Sequence, residues 1–121
     1  EYVDLTGYKT NVSDFYDLFD ICVFPSEKEP FGLVAVESYF FGKPVLVFKD
    51  SGGLKEIVSP IEPKNVVDDE LELSERMIYY YKNKRMIYEK SAKRQSYAKE
   101  FYSIQKMERN YFKVYNCILK T

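Results

Sequence analysis

Ser26-Glu27-Lys28-Glu29-Pro30-Phe31-Gly32-Leu33-Val34-Ala35-Val36-Glu37 follows a continuous apolar run, Ile21-Cys22-Val23-Phe24, closed by Pro25. An apolar run of that length, stopped by proline, reads as a strand buried on both faces. The polar stretch from Ser26 to Gly32 reads as a loop opening a helix from Leu33 to about Phe41. Gly42 and Pro44 end that helix as a left-handed cap and a stop signal. Pro44-Val45-Leu46-Val47-Phe48 is a second buried strand, and Ser51-Gly52-Gly53 leads into a short helix, Leu54 to Val58. Strand, helix, strand, helix specifies an α/β fold on a parallel sheet, which binds ligands where strands pass into helices.

Glu29 falls at such a place, on the loop after the first buried strand. The amides of Gly32, Leu33 and Val34 open the following helix and point unpaired donors into the same crevice. The helix dipole adds partial positive charge there, which suits a phosphate or diphosphate. Gly32 has no side chain to keep backbone and ligand apart. Glu37 is anomalous, because its neighbours at three and four residues, Leu33, Val34, Phe40 and Phe41, are all apolar. A carboxylate in such a stripe is costly to bury without partners. Either it meets a ligand's diol near the helix opening, or it pairs with a basic residue or sits at the stripe's edge.

Working outward, Tyr2-Val3-Asp4-Leu5 alternates weakly and reads as a short strand turning at Thr6-Gly7. Asn11 with Asp14 reads as a helix N-cap and acidic first turn, and Phe15, Leu18 and Phe19 supply its apolar stripe. Downstream, Val66-Val67 is a last short strand, and Asp68 or Asp69 caps a helix through Tyr81. Lys84–Lys99 and Ser103–Leu119 read as two more helices. Met77, Tyr80 and Tyr81 give one apolar stripe; Met107, Tyr111, Val114, Tyr115 and Ile118 give another. The fold class is therefore α/β, a partial Rossmann-like parallel sheet with flanking helices and a helical tail. With no internal repeat or linker, residues 1–121 are expected to form one domain.

Composition narrows the chemistry. Histidine is absent, which removes Ser-His and Cys-His nucleophile pairs and His-ligated metals from this chain. Cys22 and Cys117 lack metal or redox spacing; buried free thiols in a reducing cytoplasm fit better than a disulfide, which stays open. The 18 basic and 19 acidic residues leave a net charge of −1, so nucleic acid is not an expected partner. Residues 1–60 carry 5 basic and 10 acidic side chains, whereas 61–121 carry 13 and 9. The basic excess between Lys82 and Lys120 is a solvated helical face, or a weak attraction to anionic lipid or a partner lobe. No apolar run is long enough to span a membrane, and the opening residues lack the pattern of a secretory leader. A start at Glu1 suggests a piece of something longer.

Pro25-Ser26, Glu29-Pro30-Phe31-Gly32-Leu33, Glu37, Gly42-Lys43-Pro44-Val45 and Gly52-Gly53-Leu54-Lys55-Glu56-Ile57-Val58, in that order, resemble the C-terminal half of retaining GT-B glycosyltransferases, glycosyltransferase family 4 above all. The resemblance covers most of the chain, with its core at 12–58. It implies the nucleotide-sugar-binding lobe of a cytoplasmic enzyme, working on glycans or glycolipids at the inner membrane face. Glu29, as the catalytic residue, would contact hydroxyls of the transferred sugar and stabilise the charged transition state. Phe31, Gly32, Leu33 and Val34 would lend amides to sugar and phosphates, and Glu37 would hold the ribose. Ser26, Gly52 and Gly53 would line the crevice. The donor would be a nucleotide-diphosphate sugar, with no cofactor and no metal.

The chain departs from that pattern in three places. The upstream Gly-rich turn and basic Arg-Lys pair are missing, as is the acceptor lobe. The usual Asn-Gly-x-Leu-Val stretch is reduced to Ser59-Pro-Ile-Glu-Pro-Lys-Asn65, which alters a loop near the nucleotide. The chain alone is therefore expected to bind donor weakly and to catalyse nothing. A non-catalytic nucleotide-sugar-binding remnant is the alternative. A receiver-like signalling domain would need an early acidic cluster and a late lysine that the sequence does not place. Asp68-Asp69 reads as a helix cap rather than a metal pair. Glu29 and Glu37, on loop and helix, suit diphosphate recognition better than a glycosidase acid and nucleophile.

Overall fold

A computed structural model describes residues 2–120; Glu1 and Thr121, the ends of the expected domain, lie outside the described residues. Three parallel strands, β1 (Cys22–Phe24), β2 (Val45–Phe48) and β3 (Val66–Val67), lie in the order β1-β2-β3. Cys22 pairs with Val45, and Val47 with Val66. Right-handed crossovers are the rule for such parallel units, and helices serve as the connections. Helix α1 (Val12–Leu18) precedes β1, α2 (Leu33–Phe40) joins β1 to β2, and α3 (Gly53–Val58) with a 3-10 turn (Pro63–Asn65) joins β2 to β3. Helices α4 (Glu70–Lys82), α5 (Arg85–Glu89), α6 (Ser91–Tyr102) and α7 (Ile104–Leu119) follow.

The centre strand explains the layering. Val45 and Val47 point into a cluster with Val36, Tyr39, Leu54 and Ala98, whereas Leu46 points the other way, against Tyr80 and Ile87. Successive side chains of a strand face opposite sides, so β2 is covered on both faces as its unbroken apolar sequence requires. β1 is not: Cys22 is buried, but Val23 and Phe24 are half-buried. Among the described residues β1 pairs with β2 alone. Its outer edge borders a hollow of about 640 Å³ whose lining includes Phe15, Phe19, Val23 and Met77.

Several expectations need correcting. Residues 2–5 form no strand and are exposed; two alternating apolar side chains do not hold a strand without a neighbouring ladder. Asn11 stands at the N-cap of α1, but its amide donates to the Asp14 carboxylate (2.8 Å) instead of accepting from the backbone. The buried residue of α1 is Tyr16, whereas Leu18 is exposed, so the stripe through Phe15, Leu18 and Phe19 is not the packed face. On α4 only Tyr80 of its stripe is buried, Met77 and Tyr81 being exposed. The helix expected over Lys84–Lys99 breaks at Lys90 into α5 and α6. Cys22 is buried, Cys117 lies exposed on α7, and no disulfide joins them.

The caps follow the sequence more closely. Gly42 sits at φ +70° after α2. Asp69 caps α4 by accepting from the Glu72 amide (2.9 Å), while the Glu72 carboxylate accepts from the Asp68 amide (2.7 Å). This exchange satisfies two otherwise orphaned donors. Asp69→Ala is expected to cost about 1 kcal/mol in urea unfolding. An unchanged midpoint would show that the cap contributes nothing.

The largest buried side chain is one that periodicity does not reveal. Arg94 of α6 is fully buried and reaches Glu62, itself 4% exposed, through Nη2 (2.6 Å) and Nε (3.0 Å). Its Nη1 donates to the Gly42 carbonyl (3.0 Å) and to that of Ile87. The Tyr39 and Tyr80 hydroxyls donate to the same Glu62 carboxylate (3.2 and 3.3 Å). Burial first, then the Glu62 charge, pushes both phenols above the ordinary tyrosine range. Glu62 belongs to the shortened 59–65 stretch, which is thus an anchor in the core. The turn at Lys90 sets Arg94 where it can tie the ends of α2 and α5 to that anchor.

Candidate functional site

The loops after β1 and β2 are joined main chain to main chain. Glu29 and Gly52 form a parallel bridge, and the Gly53 amide donates to the Glu29 carbonyl (2.8 Å). One residue earlier, the Lys28 amide donates to the Asp50 carbonyl (3.1 Å). These bonds extend the β1–β2 pairing past both strand ends, so the openings of α2 and α3 lie side by side.

Glycine is required at this seam. A Cβ on Gly52 would lie 2.6 Å from the Glu29 carbonyl oxygen, and one on Gly53 would run into the Phe31 carbonyl. Gly32, at φ +87°, would strike Leu54 at 2.7 Å with any side chain. Gly32 is the N-cap of α2 and offers no side-chain acceptor to the helix's first amides. Those amides, on Leu33 and Val34, therefore keep donor capacity at a solvent-facing helix end. Leu33 and Val34 are exposed, and Gly32 is buried.

Glu29 is half-buried with its backbone fixed, and its carboxylate has no hydrogen bond or ion pair among the described residues. The Phe31 ring is exposed and meets Tyr102 of α6 edge-on at 6.2 Å, while its carbonyl faces Gly53. Ser26 is exposed, three residues ahead of the seam. Ser51, in the loop three residues past β2, is fully buried, and its Oγ has no hydrogen-bond partner. The sequence reading overlooked two features here: that orphaned hydroxyl, and the left-handed φ of +54° at Lys28. A lysine in that region gives no compositional signal of the kind glycine gives.

Glu37 takes one of the places the sequence left open, the edge of the stripe. It is exposed, with Leu33 and Val34 exposed beside it, so the carboxylate is not buried in an apolar stripe. The packed face of α2 is Ala35, Val36, Ser38 and Tyr39. Glu37 sits at the edge of that face and accepts a hydrogen bond from Tyr16 of α1 (3.0 Å). Tyr16 is 5% exposed and stacks on Phe41 at 5.2 Å, so its hydroxyl is held in place. Burial, reinforced by the Glu37 carboxylate, raises the Tyr16 hydroxyl to about 12. It therefore remains a donor at neutral pH and orients Glu37.

No cluster of three or more potential metal-ligating side chains occurs among the described residues. The arrangement offers one half-buried carboxylate, one oriented exposed carboxylate and a helix opening without side chains in its way. That is a Rossmann-like fragment whose loops and helix openings gather at the carboxyl ends of its strands, where sheets of this kind bind ligands. The family model of glycosyl transferases group 1 matches residues 1–101, and the chain belongs to that family. No curated protein and no solved structure gives a significant match.

Proposed function

We propose that this chain forms the donor-binding part of a retaining glycosyltransferase of family 4, taking a hexose or related sugar from a nucleotide-diphosphate donor to a glycan or glycolipid acceptor. The observation that carries the reading is the seam between the two loops, which sets Glu29 beside the glycine-bordered opening of α2. The amides of Phe31, Gly32, Leu33 and Val34 would hold the sugar and the diphosphate. Diphosphate departure is the costliest charge development in such a transfer, and preorganised amides stabilise it without a metal. Glu29 contacts hydroxyls of the transferred sugar and offsets positive charge at the anomeric carbon. Glu37, oriented by Tyr16, takes the ribose hydroxyls. Ser26, Gly52 and Gly53 line the crevice.

The acceptor lobe and the upstream basic pair lie elsewhere in the parent protein, at a cytoplasmic site, and this chain alone is inactive. Saturation-transfer NMR with uridine, guanosine and adenosine diphosphates and their sugar conjugates tests the reading. One base series is expected to show ribose and sugar contacts. Glu37→Ala removes a charge-assisted hydrogen bond and should weaken them by about tenfold to a hundredfold. Contacts that persist unchanged in Glu37→Ala refute its role. Absence of contacts from a longer chain carrying the basic pair refutes the donor-lobe assignment.

A further inference from the structure

Lys28 is the one residue other than glycine with positive φ among the described residues, at +54°. That region crowds Cβ against a backbone carbonyl oxygen, so a residue with a side chain stays there only where its surroundings impose it. The Lys28 side chain does not impose it, being exposed and without a hydrogen bond or ion pair among the described residues. The main chain does. The Lys28 amide donates to the Asp50 carbonyl (3.1 Å), and the next carbonyl, that of Glu29, accepts from the Gly53 amide (2.8 Å). Pro30 follows, and a proline holds the residue before it in extended backbone. Extended backbone is what the parallel bridge between Glu29 and Gly52 requires.

We propose that Lys28 is a positioning residue, whose left-handed backbone, and not its ammonium, holds Glu29 in place for the ligand. Glu29 is clamped on each side, by the turn before it and the proline after it, with a ladder bond on its own carbonyl. A carboxylate fixed in this way has only its own rotamers to settle when a ligand arrives, so less ordering opposes binding. The half-buried Glu29 carboxylate has no partner among the described residues and is free to meet one. Because Glu29 is assigned to the sugar hydroxyls, the inference rests on the donor-binding reading.

Three substitutions in the whole chain separate backbone from charge. Lys28→Gly removes the ammonium and leaves the left-handed region open. Lys28→Val removes the ammonium and disfavours that region, which a β-branched residue rarely occupies. Lys28→Ala is the milder companion should circular dichroism show that valine impairs folding, and it should differ from Lys28→Gly in the same sense. Without ligand, hydrogen exchange of the Gly53 amide reads the clamp. It should be about tenfold faster in Lys28→Val than in Lys28→Gly, which should match the parent.

With nucleotide-diphosphate sugars, the ratio of sugar to ribose saturation transfer should fall about fivefold in Lys28→Val and hold in Lys28→Gly. A change that merely loosened the fold would lower both contacts together. Equal exchange in the valine and glycine variants overturns the proposal, as does an unchanged sugar-to-ribose ratio in Lys28→Val. A ratio that falls in Lys28→Gly while the Gly53 amide stays protected would assign the role to the ammonium and overturn it too. No contact between the parent chain and any of these ligands would count against donor binding, and the exchange comparison would still decide whether the turn holds Glu29.

Discussion

Arg94→Ala is expected to lower stability by about 3–5 kcal/mol, because it strands a buried carboxylate and two buried carbonyls at once. Glu62 would keep only the Tyr39 and Tyr80 hydroxyls as partners, and the Gly42 and Ile87 carbonyls would lose the guanidinium. In a chain of this size the loss corresponds to a fall in Tm of about 10–20 °C. Arg94→Lys should behave more like alanine than like the parent, because an ammonium cannot present the planar fork that reaches Glu62 and both carbonyls. Exchanging the ion pair for apolar residues of similar volume should recover part of the loss, since the desolvation cost of the pair then disappears. Recovery stays partial, because the Tyr39 hydroxyl still needs an acceptor, whereas that of Tyr80 keeps Asn65 Oδ1 (3.1 Å). Urea unfolding of the three variants checks the argument. A loss below about 1 kcal/mol for Arg94→Ala would falsify the claim that this pair anchors the fold.

Gly53→Ala should be the most damaging single change at the site. Helix propensity alone favours alanine by about 1 kcal/mol at this first position of α3. Sterics oppose it more strongly. The added methyl would run into the Phe31 carbonyl, which is main chain and cannot swing aside. Overpacking of this kind costs about 1–3 kcal/mol. The seam can relieve the clash by opening, which breaks the Gly53 amide bond to Glu29 and moves Glu29 away from the α2 amides. Nucleotide-sugar contacts in the NMR experiment should then disappear even where the protein stays folded. Gly7→Ala is the control: unlike Gly53 it has positive φ, and nothing lies within 4 Å of a Cβ, so only its backbone strain changes. Retention of ligand contacts by Gly53→Ala would show that the seam does not position the site.

The three strands of the sheet and the caps at Gly42 and Asp69 were legible because local chemistry specifies them. Val45–Phe48 is an unbroken apolar run covered on both faces, Gly42 takes a conformation disfavoured for side chains, and Asp69 has the cap spacing. The loop carrying Glu29 was legible for a similar reason, since proline, glycine and a buried strand bracket it. The place of Glu37 stayed open between alternatives because spacing on a helix tells which residues share a face and not which face is packed. Leu33 and Val34 look like core in the sequence and are exposed. Tyr16, which orients Glu37, lies 21 residues away on another helix. The Arg94–Glu62 pair spans 32 residues and one of its carbonyl contacts spans 52. No period within a helix encodes a contact at that separation, and a lone arginine among lysines in α6 reads as surface charge. The break at Lys90 was invisible for the same reason, being a local accommodation to a distant partner.

The margin of β1 that pairs with nothing among the described residues bears on how the chain behaves when concentrated. Strands that present free amides and carbonyls invite fibrillar growth by edge-to-edge addition. Here the vulnerable margin is three residues long, with Asp20 just before it and Pro25 directly after it. A strand so short offers little ladder to an incoming chain, and the proline supplies no amide to extend it. The same proline that releases the backbone into the Glu29 loop also acts as a gatekeeper against self-templated assembly.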